Sequence, residues 1–324
     1  MKNTDSAREP ATVEEAADKF VSLDIWDTVS SSNWIVKPAG TAVPYFCTVM
    51  KGDGGIVRYR LLMIEGWQTF HDYIRGRIDP DYGFYSTPME IPHYELAART
   101  DGRAPVFRHD AGYVPLPVQG GRDGELCRKI LWQCCGVAMR METDPSLPMS
   151  CSQQQAMFGR EESASGEWSD KAFPIPQSRP YTEKIAIRKD IIAKVKDLPF
   201  KADETLELDF GIDAGYITSD PPPRFAYLLS AVDAATGEKA IWMSSSVNRD
   251  GSLKKLWEDA PEAVMIGIAR RGRVPGEIKV RSGRVFRFMR PLCMELPLKL
   301  SMHASLPMLE KVKAARLRGA VSRP

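Results

Sequence analysis

A run of basic side chains near the C-terminus offers the clearest chemistry in this sequence. Arg284, Arg287 and Arg290 recur every three residues, a spacing that places side chains next to one another on one face of a helix. Guanidinium groups in such a row match the phosphates of a nucleic acid, and each contact would release counterions. The sequence therefore predicts a cationic binding face. Its members are Arg270, Arg271, Arg273, Lys279, Arg281, Arg284, Arg287 and Arg290.

This basic run belongs to a wider segregation of charge along the chain. The formal net charge is +2, but residues 270–324 contain 14 Lys and Arg against three acids, which leaves +11 there and −9 in the rest. Such an asymmetry marks either a site for an anionic partner or two parts of one molecule that attract each other. Cations at a helix end also simply complement the helix dipole. Aromatic side chains that could stack on single strands are limited to Phe286 and Phe288.

The residue types that usually carry nucleophilic or metal chemistry are scattered. The sequence has no GxSxG elbow, Walker loop, GxGxxG or HExxH motif. Six cysteines in 324 residues form neither a disulfide framework nor a zinc spacing, so no metal site is expected from them. The four histidines stand alone in the sequence, which is typical of structural histidines. They are His71, His93, His109 and His303.

One nucleophilic arrangement stays open. A Cys and His hydrolase would use Cys47 or Cys151 as the nucleophile and His93 or His109 as the base. No local signature supports this pairing.

Apolar patterns predict the elements of the N-terminal half. Thr12-Val-Glu-Glu15 is a capping box that opens a first helix. Proline-rich sequence predicts irregular structure over 79–94 and over 105–115. Apolar residues at spacings of three and four between Leu126 and Met141 predict a long helix. Between these features, the patterns predict strands at 34–36, 45–50 and 57–64 and a helix at 67–74.

The composition changes between 143 and 179, where Ser, Gln, Pro and Gly replace aliphatic residues. This predicts an N-terminal domain at 1–150, a loop-rich linker at 151–179 and a second domain at 180–324. After a helix at 188–197, the second domain has the order βββαβαβα. Its predicted elements lie at 206–212, 225–232, 239–244, 261–271, 277–280, 285–293, 298–302 and 305–318. The fold class is therefore α+β, with an antiparallel-sheet module followed by this second domain.

Two short runs in the second domain resemble a known fold. Phe225-Ala-Tyr-Leu-Leu-Ser-Ala-Val-Asp-Ala-Ala-Thr-Gly237 resembles the second strand and turn of an integrase core. Arg270-Arg-Gly-Arg-Val-Pro-Gly-Glu-Ile-Lys-Val280 resembles its helix-to-strand passage. Together with the order βββαβαβα, they imply the ribonuclease H fold of transposase and retroviral integrase cores.

Over nearly the whole chain, the sequence is similar to a family of bacterial proteins that pair two domains of unknown function. The first domain of that family carries the passages seen here at 45–74 and 105–115, and its second domain carries the Val232 to Gly237 turn and the closing Leu306-Pro307 helix. The resemblance implies this layout but no activity.

The integrase resemblance implies two or three carboxylates that hold paired divalent metal ions, such as Mg²⁺, about 3.5–4 Å apart. The acids available for this role are Asp209, Asp213, Asp233 and Glu310. After the fourth strand, however, the chain reads Val280-Arg-Ser-Gly283, where the resemblance implies a carboxylate. Because Arg281 would repel a metal ion and pair with the remaining Asp, we expect the metal site to be absent.

The sequence therefore favours a non-catalytic binding or interaction protein without a cofactor. The alternative is a divalent-metal-dependent nuclease or other hydrolase with a rebuilt carboxylate site. The candidate partners are nucleic acid and another protein, the latter through aromatic side chains in the 79–94 passage. The charged N-terminus and the absence of any apolar run near ~18 residues predict a cytoplasmic protein with no membrane partner.

Overall fold

The computed structural model describes residues 8–30, 32–52, 54–78, 90–147, 155–177, 182, 184–218, 220–247 and 252–321. These residues divide into two compact units. Unit 1 contains the described residues up to 74, together with 90–110 and 115–177. Unit 2 contains 75–78, 111–114 and the described residues from 182 onward. The described residues form two sheets and eight helices, which confirms a mixed α and β protein.

An eight-stranded sheet forms the centre of unit 1, in the order β6-β5-β4-β3-β2-β1-β7-β8. Neighbouring strands are antiparallel except for β1 and β7, which are parallel. The strands are β1 (Asn33–Lys37), β2 (Tyr45–Lys51), β3 (Val57–Glu65), β4 (His93–Arg99), β5 (Val106–His109), β6 (Leu116–Pro117), β7 (Ala156–Glu162) and β8 (Trp168–Pro174). The helices are α1 (Val13–Ser22), α2 (Trp26–Val29), α3 (Trp67–Ile78) and α4 (Gly121–Thr143).

Helices α1 and α4 cover one face of this sheet. Helix α1 begins as its sequence indicates: the Glu15 amide donates to Thr12 Oγ1 at 3.2 Å, and the Ala11 amide donates to the Glu15 carboxylate at 2.7 Å. The apolar stripe of α4 packs against alternate residues of the strands. The packed side chains include Trp34, Cys47, Leu61, Met63, Leu96, Ile130, Cys134 and Met141.

The structure differs from the sequence prediction within 151–179. Strands β7 and β8 lie there and extend the sheet beyond β1. The edge strand β8 carries charged side chains, and the hairpin turns through 163–167. The composition of this segment is therefore that of a loop, although its backbone is paired in the sheet. Only Phe158 and Phe173 among its large side chains are buried, and they are too few to produce an apolar strand pattern.

A second difference concerns the proline-rich passages. Residues 79–89 lie outside the described part of the chain, but β4 begins at His93 and β5 at Val106. Pro105 precedes β5, and its carbonyl accepts from the Ala97 amide at 3.0 Å. A proline before the first strand residue removes a donor that the strand does not need, so the pairing survives.

Unit 2 has a five-stranded mixed sheet in the order β11-β10-β9-β12-β13. The pairs of β9 with β10 and of β10 with β11 are antiparallel, whereas β12 is parallel to both β9 and β13. The elements are α5 (Lys189–Lys196), β9 (Phe200–Ile217), β10 (Phe225–Asp233), β11 (Lys239–Ser246), α6 (Leu253–Arg271), β12 (Val274–Val280), α7 (Gly283–Glu295), β13 (Lys299–Met302) and α8 (Pro307–Val321). From β9 onward the described elements follow the predicted order of three strands, then alternating helices and strands.

Helix α6 begins eight residues before the predicted start at Pro261. Ser252 caps it by accepting from the Lys255 amide at 3.1 Å, and Gly272 ends it in the left-handed region at φ 75°. Pro261 lies inside the helix and costs one backbone hydrogen bond. Burial of Leu253 and Trp257 in the preceding turns offsets that cost. Among the described helices, none is both long and apolar enough to cross a membrane.

The placement of β7 beside β1 predicts the effect of Gly159→Ala. A Cβ atom there would lie 2.6 Å from the Ile35 carbonyl oxygen and 2.7 Å from Phe173 Cε2. We expect the substitution to lower the free energy of unfolding by about 1–3 kcal/mol because the strands must separate. Gly136→Ala is the matched control: its Cβ meets nothing within 4 Å on α4, and we expect a gain of about 0.5–1 kcal/mol.

Chemical denaturation of both variants checks this prediction. Equal stability of Gly159→Ala and the wild type would show that β7 does not pair with β1.

Candidate functional site

The acids of β9 face α8. Glu207, Asp209 and Asp213 occupy alternate positions of the strand and therefore point to the same face of the sheet. Residues 309, 313 and 316 of α8 are spaced by four and three, which aligns them on one side of the helix. The contacts join Glu207 Oε2 to the Leu309 amide at 2.7 Å, Asp209 Oδ2 to Lys313 Nζ at 2.8 Å, and Asp213 Oδ2 to Arg316 Nη1 at 2.9 Å.

Burial makes these contacts necessary. Glu207 is 4% exposed and Asp213 is 9% exposed, so neither carboxylate can rely on water. A buried carboxylate without a partner is costly, and removing one member of a buried pair is strongly destabilising. A small apolar cluster of Val232, Leu306 and Leu309 adjoins the row of contacts. Charge pairing and this cluster together hold α8 on the sheet.

Arg281 lies between two of the acids that the alternative, metal-dependent interpretation would use. Its Nη1 donates to Glu310 Oε1 at 3.0 Å, and its Nη2 lies 3.7 Å from Asp209 Oδ2. Lys313 contacts the same Asp209 oxygen. The structure thus brings Asp209 and Glu310 close to shared cations. Two positive side chains therefore contact acids that the sequence analysis considered as metal ligands.

Asp213 and Asp233 belong to different contacts. Asp213 pairs with Arg316, whereas Asp233 terminates β10 and binds its own turn, accepting from the Thr236 amide at 2.9 Å and the Ala235 amide at 3.0 Å. Burial alone would raise the pKa of Asp233, but the hydrogen bonds from its turn and from Arg271 outweigh burial, and its pKa lies below the usual value. Asp233 is a turn residue held as a carboxylate.

Arg271 and Arg273 converge on Glu204. Arg271 Nη2 contacts Glu204 Oε1, and Arg273 Nε donates to Glu204 Oε2 at 2.9 Å. The Arg271 side chain is only 7% exposed. These two members of the predicted binding face therefore form ion pairs within unit 2.

The expected exposed row of Arg284, Arg287 and Arg290 is wrong at its first member. Arg284 is 1% exposed and lies with its guanidinium carbon 3.6 Å from the centre of the Trp257 ring. It occupies the first turn of α7, whose inner face packs on α6 through contact of Phe288 with Trp257. Arg287 is half-buried and Arg290 is exposed, so the three do not form one surface row.

Three members of the predicted face keep their charge available. Within the described residues, no carboxylate lies within 4 Å of Arg270, Lys279 or Arg290. Arg270 and Arg290 are exposed and Lys279 is half-buried. They come from three different elements, namely α6, β12 and α7.

Unit 1 contains a cluster of titratable side chains that the sequence analysis missed. His93 and Glu95 alternate on β4, and His109 of β5 is the direct register partner of His93. Glu95 Oε2 lies 3.4 Å from His109 Nε2 and 3.7 Å from His93 Nε2. All three residues are buried. They are the one group of potential metal ligands found among the described residues.

Neighbouring cationic groups hold Glu95 ionised, whereas burial holds His109 neutral. Burial would raise the pKa of Glu95, but the neighbouring His93, His109 and Arg60 lower it below its usual value. Burial, together with His93, lowers the pKa of His109 to about 4. Arg60 Nη1 donates to Glu95 Oε1 at 2.5 Å, which leaves Oε2 facing the two imidazoles.

The sequence does contain a signal for this cluster. The residues His93-Tyr-Glu95 have the two-residue period of a strand, with Tyr94 on the opposite, core face. Recognising β4 and β5 as a hairpin would have placed His109 beside His93. The proline-rich context concealed both strands. His71 and His303 lie elsewhere, on α3 and after β13.

Cys47 does not share a face with these histidines. It packs in the core under α4, with its Sγ 3.5 Å from Cys134 Sγ, whereas His93 and His109 lie on the other face of the sheet. Burial raises the pKa of the Cys47 thiol, so it stays protonated. The structure therefore does not support the pairing of Cys47 with His93 or His109 that the sequence left open, and Cys151 lies outside the described residues.

Comparison with known proteins addresses unit 2 alone. Residues 191–315 match a family model described as a domain of unknown function, DUF6930. The matched segment runs from α5 into α8 and includes Asp209, Arg281 and Lys313. No curated protein and no solved structure gives a significant match to the chain.

The contacts of β9 with α8 predict a difference between two glutamates. Glu207→Ala should lower the free energy of unfolding by about 1–3 kcal/mol because the buried Leu309 amide loses its acceptor. Glu310→Ala should change it by less than about 1 kcal/mol, since its partner Arg281 is half-exposed. Equilibrium denaturation measures both. An equal loss of stability in the two variants would show that the buried contact of Glu207 with the Leu309 amide contributes no more than the exposed ion pair of Glu310.

Proposed function

We propose that this protein acts by binding rather than catalysis, and that unit 2 is a ribonuclease-H-like module whose metal site is replaced by ion pairs. Two features support this fold: the order of three strands followed by alternating helices and strands, and a sheet in which β9 pairs antiparallel with β10 and parallel with β12. The loss of catalysis is argued from the contacts of Arg281 and Lys313.

The position of these two cations is the observation that carries the proposal. Two-metal hydrolysis needs carboxylates that converge on ions about 3.5–4 Å apart. Here Asp209 is neutralised by Lys313 at 2.8 Å, and Glu310 by Arg281 at 3.0 Å. A divalent ion entering this position would have to displace both cations and would then face their repulsion at close range. Pairing of the acids with protein cations is therefore the lower-energy state.

The proposed ligand is an anionic polymer of the nucleic-acid class. Of the eight cations predicted to bind it, Arg270, Lys279 and Arg290 lack a carboxylate partner among the described residues. Because these three lie outside the ion pairs of the described residues, we expect modest affinity and a salt dependence of about two to three phosphate contacts.

Fluorescence anisotropy with short single- and double-stranded DNA and RNA tests the proposal. We expect binding at low salt that weakens with a log–log slope of about −2 to −3, and loss of binding in a variant that combines Arg270→Glu, Lys279→Glu and Arg290→Glu. The matched control changes three exposed lysines outside residues 270–324, with Lys184→Glu, Lys194→Glu and Lys201→Glu. It alters the net charge equally and should retain more of the binding.

Two outcomes would overturn the proposal. The absence of binding at low salt, or equal loss in both triple variants, would remove the nucleic-acid ligand. Cleavage of the same oligonucleotides with Mg²⁺ or Mn²⁺, abolished by Asp209→Asn with Asp213→Asn, would establish the metal-dependent hydrolase instead.

A further inference from the structure

Three potential donor atoms, one each from His93, Glu95 and His109, lie close together in unit 1. The two strands that carry them are hydrogen-bonded neighbours, and His93 and His109 are direct register partners on the face opposite α4. Their donor atoms all lie within 4.8 Å of one another. Donors bound at 2.0–2.1 Å to a tetrahedral ion lie about 3.3 Å apart. The distances from Glu95 Oε2 to the imidazole nitrogens, 3.4 and 3.7 Å, are close to this value.

One imidazole nitrogen of this cluster has a backbone partner, and the other three have none among the described residues. His93 Nδ1 lies 2.7 Å from the Ile91 carbonyl oxygen, which can only accept, so Nδ1 must carry a proton and donate it. His93 Nε2 and both nitrogens of His109 are buried and have no hydrogen-bond partner within the described part of the chain. The His93 side chain is 0% exposed, and that of His109 is 7% exposed. Unsatisfied buried polar atoms are rare in folded proteins.

A proton or a metal ion would relieve this arrangement. If the only ring proton of His93 is on Nδ1, then Nε2 carries a lone pair. That lone pair faces the Glu95 carboxylate, so two hydrogen-bond acceptors lie opposite each other. A single proton on one imidazole would satisfy one nitrogen and leave others unpaired. A cation between the three groups would satisfy one donor atom of each residue at once.

We propose that His93, Glu95 and His109 bind one divalent transition-metal ion, and that Zn²⁺ fits the site best. Two imidazole nitrogens and one carboxylate oxygen form a donor set that suits Zn²⁺ and leaves a fourth position open. The outer contacts follow the pattern of metal sites, in which the second nitrogen of a ligating His donates to a carbonyl and the carboxylate ligand is itself hydrogen-bonded. Here Ile91 and Arg60 supply those contacts.

Binding requires a small adjustment of the rings. The two imidazoles stack with centroids 4.3 Å apart and planes 18° apart, so their in-plane lone pairs run nearly parallel. Rotation about the last side-chain torsion, which is soft in His, brings them onto one ion. Since β4 and β5 would then be joined through the ion as well as through backbone hydrogen bonds, the metal should stabilise this part of the sheet.

The test uses the full chain after removal of metals with a chelator. Calorimetric titration with Zn²⁺ should show one ion bound per chain, and added Zn²⁺ should raise the melting temperature. Bound Co²⁺ should give the visible absorption of a low-coordinate site without the near-ultraviolet band of thiolate ligation, which separates this site from the six cysteines.

Matched histidine variants assign the ligands. His109→Gln and Glu95→Gln should weaken Zn²⁺ binding at least about 100-fold and abolish the thermal shift, whereas His303→Gln, at an exposed histidine, should change neither. Equal binding by wild type and His109→Gln would overturn the proposal.

If a ligand variant fails to fold, the measurements on the wild type alone test whether the metal site exists. Absence of Zn²⁺ binding by the folded wild type, or a thiolate band in its Co²⁺ spectrum, would also overturn it.

Discussion

The acidic face of β9 can be buried only because cations and a helix amide lie against it. Glu207, Asp209 and Asp213 point to one side of the strand, and α8 meets them with an amide, a lysine and an arginine at matching intervals. The other side of β9 presents Phe210 to Trp257 of α6, with ring centres 4.6 Å apart. One strand thus joins an apolar layer to a charged one. Without the cations, this side of the sheet would contain buried, unpaired carboxylates.

The same pairing explains the separation of charge along the sequence. Part of the excess of basic residues after 270 is matched by acids of unit 2 itself, since Glu204, Asp209, Asp213 and Glu277 all pair with cations from that segment. Contacts within unit 2 therefore neutralise part of this basic segment. What remains for an external partner is a smaller set of cations than the sequence suggests, and the acids that could hold a catalytic metal are committed to the fold.

Features that depend on a local sequence pattern could be predicted, whereas features that depend on pairing or packing with distant residues could not. The capping box at Thr12, the apolar stripe of α4 and the glycine end of α6 are local patterns, and each was recognisable. The hairpin of β7 and β8 was not, because its polar strands depend on pairing with β1 for their structure. Pro261 and Arg284 were misjudged for a related reason: packing of α6 and α7 around Trp257 outweighs the local preference of each residue. The contact of Arg281 with Asp209 was anticipated, but the matching role of Lys313 and Arg316 needed the position of α8. The period of His93-Tyr-Glu95 is a local signal for part of the histidine cluster, but the position of His109 beside His93 required the strand register.

The most direct test of this account is a double-mutant cycle on Asp213 and Arg316. Stabilities of Asp213→Ala, Arg316→Ala and the double variant isolate the pairwise energy from the other contacts of Arg316. The exposed pair of Lys255 and Asp259 on α6 is the reference, for which about 0.3–0.5 kcal/mol is expected. The account predicts a coupling above about 1 kcal/mol for Asp213 with Arg316, because the carboxylate is buried. A coupling no larger than that of the reference pair would contradict it, since the acidic face of β9 would then not depend on the cations of α8.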